Sequence, residues 1–137
     1  MLPLSGFIIR KTTGIIDRTI RKDYSDLFVT ALKNNTHVNV VKHLHGSTYW
    51  RQNILVRENR DDLLSHLRSK KIKATAYFPS ISSLFEDVQH EIYPCSDEFS
   101  SKVINLWPWI ETNQDEIENI DMEIKYYFQD SYLKKHD

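Results

Sequence analysis

The stretch ENRDDLLSHLRSKKIKATAYFP, residues 58–79, constrains the chain more than any other. Asn59 stands where a helix N-cap belongs, and Asp61 and Asp62 fall in the first turn, at the positive end of the helix dipole. Arg68, Lys70 and Lys71 crowd the opposite end, and Leu63, Leu64 and Leu67 supply a one-sided apolar stripe. Residues 73–78 then read as a strand that Pro79, lacking an amide donor, brings to a stop. A helix that feeds straight into a strand needs a sheet for the strand and a face of that sheet for its own stripe. The stop on Tyr-Phe-Pro also leaves two aromatic rings at the strand end, where a bare scaffold would more often turn on Gly or Asn.

The rest of the chain supplies that sheet and more helices. Ile16, Ile20, Tyr24, Leu27 or Phe28, and Ala31 recur at helical spacing over residues 12–33, opposite Arg18, Arg21, Lys22 and Asp26. Asn34-Asn35 breaks the pattern. HVNVVKHLHG, ending at Gly46, reads either as a weak strand or as a loop. Over residues 49–57, Trp50, Gln52, Ile54 and Val56 share one face of a strand, and Arg51, Asn53, Leu55 and Arg57 the other. That alternation suits a sheet covered on one side. Residues 80–94 look irregular, with one helical turn near residues 84–88. Ser96 is placed to cap a short helix reaching Lys102, and VINLWPW follows as a third strand stopped by Pro108. Asn113 and Glu116 resemble a capping box, which opens a helix with Ile117, Ile120, Ile124 and Tyr127 or Phe128 on one face. The expected fold is α+β in two layers: a small, mainly antiparallel sheet of about three strands, with helices packed on one face.

Composition narrows the function. At 137 residues the chain is expected to be a single domain, and a net charge of −1 provides no footprint for nucleic acid or an anionic membrane. No apolar run approaches the roughly 20 residues of a membrane span, and no basic region precedes the brief apolar patch at the N-terminus, so neither span nor secretory signal is expected. The one cysteine, Cys95, excludes an internal disulfide and fits a cytoplasmic location; it is expected as a half-buried thiol at a helix start. Only Gly6, Gly14 and Gly46 occur, so no glycine-rich phosphate loop is present. His43 and His45 would point the same way on a strand, but two ligands fall short of a metal site. Ser80, Ser82 and Ser83 lack a nucleophile elbow and are expected to cap or solvate a loop. No complete catalytic constellation emerges. What remains are two aromatic strand ends, Tyr77-Phe78-Pro79 and Trp107-Pro108-Trp109, which form either an ordinary core edge or the wall of a cleft or docking face.

Taken in order, NRDDLLSHLRSKKIKATAYFP, SSKVINLWPW and NQDEIENIDMEIKYYF resemble the C-terminal small domain of the DegT/StrS-type pyridoxal-phosphate aminotransferases. The matching features are the Asn59-Arg60-Asp61 helix start, the Lys71-Ile72 passage into a strand, the aromatic-proline stop, the Ser101 strand approach ending at Pro108, and a final acid-opened helix. The resemblance implies that residues 1–35 form a helix leading out of an absent large domain and that residues 36–137 form the small domain. It implies a parent enzyme that aminates nucleotide-linked keto-sugars for lipopolysaccharide or O-antigen, with pyridoxal phosphate and its Schiff-base lysine held by the large domain. This chain alone would then hold no cofactor and no catalytic residue. Thr75, Tyr77 and Pro79 would position substrate, with Phe78, Trp107 and Trp109 as an aromatic docking face. The expected partners are the large domain, the nucleotide-sugar and, without the large domain, further copies of the chain. A stand-alone interaction or ligand-binding module using the same aromatic face is the alternative.

Overall fold

The computed structural model describes residues 4–84, 93–107 and 114–134. Helix α1, Leu4–Ala31, is followed by strand β1, Val38–Val40, and strand β2, Gln52–Val56. Helix α2, Arg60–Ser69, leads into β3, Ala74–Thr75, and a 3-10 turn at Ile81–Ser83. Helix α3, Pro94–Lys102, runs directly into β4, Val103–Leu106, and helix α4, Gln114–Lys134, comes last. The strands form one antiparallel sheet in the order β1-β2-β4-β3. The fold is α+β, as the sequence pattern predicts. The sheet gains its fourth strand from the segment that reads equally as strand or loop.

Register explains the layering. Ile54 lies opposite Ile104 and Gln52 opposite Leu106, while Val38 faces Val56 and Ala74 faces Leu106. These residues share one face, and the apolar ones join Phe28 of α1, Leu32 just after it, Leu63, Leu64 and Leu67 of α2, and Ile117, Ile120, Ile124 and Phe128 of α4 in a single buried cluster. The three long helices therefore form the layer over this face, and burial of their stripes supplies the main driving force for the fold. Gln52 is a fully buried polar residue on this face. It accepts the Ser25 hydroxyl at 2.8 Å and donates to the Val41 carbonyl at 2.8 Å, which ties α1 to the sheet. Asn35 donates to Asp121 at 2.9 Å and joins the end of α1 to α4. His66 lies 2.9 Å from Glu123 and bridges α2 to the same helix.

Several local expectations change in detail. Asn59 precedes α2, but it adopts a left-handed conformation (φ 55°), and its side chain makes no capping bond. Its carbonyl instead accepts the Leu63 amide. At the other end, Ile72 N–H donates to Leu67 O and Lys71 N–H to Arg68 O, the paired bonds of a Schellman motif with Lys71 left-handed at φ 63°. The third helix begins at Pro94 rather than at Ser96. The Ser96 hydroxyl instead accepts the Ile81 amide, and Ser80 caps the 3-10 turn by accepting from Ser82 N–H. Ser80 also donates to Asp97, which pins this turn to α3. Cys95 is exposed rather than half-buried, because the open side of the first turn of α3 carries it. The strand over residues 73–78 shortens to Ala74–Thr75. The side chain of Ile16, the end of the helical turn near residues 84–88, and Pro108, Trp109 and Asn113 lie outside the described residues.

Two stability changes follow. Ile104→Ala removes a fully buried side chain from the central strand. Urea unfolding should show a loss of about 2–5 kcal/mol, and a change below about 1 kcal/mol would place the core elsewhere. Lys71→Gly relieves a left-handed lysine and should raise stability by about 1 kcal/mol in the same measurement; a decrease would contradict the Schellman assignment.

Candidate functional site

The second face of the sheet has a different chemistry. Asn53 lies opposite Asn105, and Thr75 opposite Asn105 on the other side. The Asn105 amide nitrogen donates to Asn53 Oδ1 at 2.8 Å, while its own Oδ1 accepts the Tyr77 backbone N–H at 2.8 Å and the Thr75 hydroxyl at 3.4 Å. Asn105 is completely buried, so one amide both satisfies itself and fixes where the chain runs after β3. This polar ladder is what turns Tyr77 toward the sheet's end.

At that end the aromatic and cationic side chains interleave. The guanidinium of Arg51 lies 4.4 Å from the Tyr77 ring centroid and 4.5 Å from that of Trp107. Trp107 meets Trp50 edge-on at 6.2 Å, and Arg21 of α1 stacks over Trp50 at 4.8 Å. On the other side Tyr77 contacts Phe78, which contacts Phe99 of α3. Beside this row opens a cleft of about 500 Å³ lined by His43, Ser47, Thr48, Tyr49, Trp50, Arg51, Asn53, Tyr77 and Phe78. Its floor is a strained turn. Gly46 sits at φ 87° in the turn closed by Ser47 N–H to Leu44 O, and Tyr49 is held at φ 52°, a conformation rare for a bulky residue. Tyr49 is buried and packs against His43, whereas Trp50 and Tyr77 are 53% and 64% exposed.

The structure brings Tyr77 and Trp107 together around Arg51, with Phe78 against Tyr77. Thr75 is tied into the polar ladder, Pro79 is exposed, and neither lines the cleft; Trp109 lies outside the described residues. His43 lines the cleft and His45 is exposed, and among the described residues no cluster of His, Cys, Asp and Glu could hold a metal. Sequence reasoning missed Arg51, Asn53 and Asn105 as site residues. The available signal was the polar alternation Arg51–Asn53 and Asn105–Trp107 on two neighbouring strands.

Among the described residues, no lysine and no carboxylate lines the cleft. Lys22, Lys102 and Lys125 each pair with an acid one helical turn away, and Lys70 approaches Glu123 at 3.6 Å. Among the described residues, the groups with shifted titration lie elsewhere: the Asp26 hydrogen bond raises Lys22, the Lys102 hydrogen bond lowers Glu98, and burial raises Tyr127. Among the described residues no helix is long and apolar enough to cross a membrane.

A sequence profile of the DegT/DnrJ/EryC1/StrS aminotransferase family matches residues 16–125. No curated protein matches the chain. Solved structures with the same fold include 3-amino-5-hydroxybenzoic acid synthase, at TM-score 0.68 and 17% identity over 79% of this chain and 33% of that one. DesV of S. venezuelae, solved in complex with a ketimine intermediate, gives TM-score 0.64 at 18% identity over 80% of this chain and 31% of its own. A DegT/DnrJ/EryC1/StrS aminotransferase from Brucella abortus gives 0.58 at 22% identity, over 78% and 31% respectively. The chain therefore spans about a third of the length of these relatives.

Asn105→Leu tests the ladder. It removes the acceptor for the Tyr77 amide and leaves Asn53 without its donor, at an expected cost of about 1–3 kcal/mol. Hydrogen exchange at the Tyr77 amide should accelerate strongly; unchanged exchange there would mean that the segment is held by something else.

Proposed function

Because the chain belongs to the DegT/DnrJ/EryC1/StrS aminotransferase family, we propose that it is the small-domain portion of a pyridoxal-phosphate aminotransferase acting on nucleotide-linked keto-sugars, of the kind built into lipopolysaccharide or O-antigen. In this reading residues 1–35 form the helix that leads out of a larger domain, and residues 36–137 form the small domain that closes over one side of its cleft. The reading places the enzyme in the cytoplasm, where nucleotide-linked sugars are made.

The observation that carries this proposal is the make-up of the cleft. Its aromatic, hydroxyl and amide groups are suited to holding and orienting a substrate, which can contribute substantially to rate without any bond-making group. They do not fit pyridoxal phosphate as a resident cofactor. A lysine is needed for the Schiff base and an acid for the pyridine nitrogen, and the lining offers neither. The chain's part is therefore positioning. Tyr77 presents its ring at the open side of the wall, Asn105 fixes its backbone, and Thr75 and Pro79 shape the segment on either side.

A domain partner would cover the exposed aromatic wall, where Trp50, Tyr77, Phe78, Ile81 and Leu84 all remain accessible. Without that partner the same wall favours self-association. One observation favours the alternative of a stand-alone ligand-binding module: the cleft is already formed within this single chain. The DNA upstream decides between them, since an in-frame large domain with a Schiff-base lysine supports the first reading and its absence the second.

The test uses the purified chain with pyridoxal phosphate, an amino donor and a nucleotide-linked keto-sugar. Neither a site-specific aldimine absorbance nor amino-group transfer should appear. Transfer that survives removal of contaminating enzymes would overturn the proposed division of labour.

A further inference from the structure

We propose that the edge of β1 takes up an extended, acidic peptide segment of a partner protein as a further strand of the sheet. The inference is independent of the family reading and begins from the strand register. β1 and β3 are the two edges of the sheet. Arg57 N–H donates to His37 O, and Val41 N–H donates to Asn53 O, so His37, Asn39 and Val41 are the residues that turn their backbone groups toward β2. The N–H and C=O groups of Val38 and Val40 therefore point out of the edge, and among the described residues nothing bonds to them. The opposite edge is occupied by the chain itself. β3 has only two residues, the Ala74 carbonyl accepts Arg68 Nε–H at 3.1 Å, and Asn105 takes the Tyr77 amide that follows. β1 is thus the edge that remains open to strand addition.

Cavities flank this edge on both sides. One of about 830 Å³ lies between β1 and the end of α1, and Val38, Val40, Lys33, Lys42 and Arg57 are among its lining residues. A second, of about 320 Å³, lies between the outer face of the sheet and α3, where Leu55 and Phe99 give it an apolar wall. Asn39 and Arg57 line both, so the two cavities meet at the strand. An added strand sends successive side chains to opposite faces. Its main chain would bond to Val38 and Val40, and its alternate side chains would enter one cavity and then the other, the arrangement by which strand addition acquires both affinity and selectivity.

Charge selects the occupant. Lys33, Lys42 and Arg57 are exposed, and among the described residues none of them forms an ion pair and no carboxylate lines the larger cavity. A second copy of the chain docking edge to edge would set these cations against their own counterparts across a two-fold axis, and like charges facing each other oppose such pairing. Basic residues beside an open edge in this way discourage self-association. The same residues attract a strand that carries carboxylates, with an apolar side chain turned toward Leu55 and Phe99.

Fluorescence anisotropy of the full chain with a labelled peptide of alternating glutamate and valine tests this, against a lysine–valine peptide and a backbone N-methylated glutamate–valine peptide. The glutamate–valine peptide should bind saturably and the lysine–valine peptide should not. N-methylation, which removes main-chain donors without changing charge, should weaken binding by about tenfold or more. Val40→Pro removes an outward N–H but no bond to β2, and should cause a similar loss, with circular dichroism and thermal melting to verify folding. Lys33→Glu combined with Lys42→Glu alters only exposed side chains and should reverse the preference between the two charged peptides. Equal binding of the two charged peptides, unweakened binding of the N-methylated one, or no saturable binding below about 1 mM would overturn the proposal. A dimer of the chain in sedimentation that Val40→Pro dissolves would give the edge to a second copy, and would overturn the acidic partner.

Discussion

The pairing of β2 with β4 sets two opposed chemistries from a single register, and both layers of the protein depend on it. Ile54 opposite Ile104 and Asn53 opposite Asn105 are neighbours along the same two strands, one pair facing the helices and the other facing away. Side chains alternate with period two, so a slip of one residue would set the asparagines among the apolar side chains of α1, α2 and α4 and the isoleucines in the polar ladder. The cost of that exchange fixes the register. Once fixed, the register also places Asn105 where its amide can hold Tyr77, so the shape of the cleft follows from the same alternation that builds the core.

The cleft is also linked to the first helix. Arg21, Trp50, Trp107, Arg51 and Tyr77 form a continuous row of cation–π and ring–ring contacts from α1 to the segment after β3. Cation–π contacts of this kind are each modest, but they orient long side chains that would otherwise be mobile. In the family reading α1 leads out of the large domain, so any change in its tilt would reach Arg51 through two indole rings. Orientation of the binding groups and attachment of the domain are then mechanically connected.

Much of the fold was legible because burial imposes periodicity. The stripes Leu63-Leu64-Leu67 and Ile117-Ile120-Ile124-Phe128, and the alternation at Gln52, Ile54 and Val56, all reappear as buried faces. Details governed by backbone geometry were less legible. Asn59 and Lys71 both adopt positive φ, which composition does not announce, and Asn59 therefore marks the helix start without capping it through its side chain. β1 was ambiguous because three residues carry too little alternation to separate strand from loop. The site was half-legible. Tyr77, Phe78 and Trp107 stood out as aromatics at strand ends, whereas Arg51 read as an ordinary outward-facing charge. Its role depends on two rings, one just after β4 and one just after β3, a long-range contact that no local pattern encodes.

The central claim is that this polar and aromatic face is one side of a site completed by another domain. Hydroxyl-radical footprinting tests it directly, comparing the isolated chain with the same chain fused behind a large domain of the family. The account predicts that Trp50, Tyr77 and Phe78 are readily oxidised in the isolated chain and protected in the fusion, while Tyr126 on the outer side of α4 is equally reactive in both. Equal oxidation of Trp50, Tyr77 and Phe78 in the two proteins would contradict it.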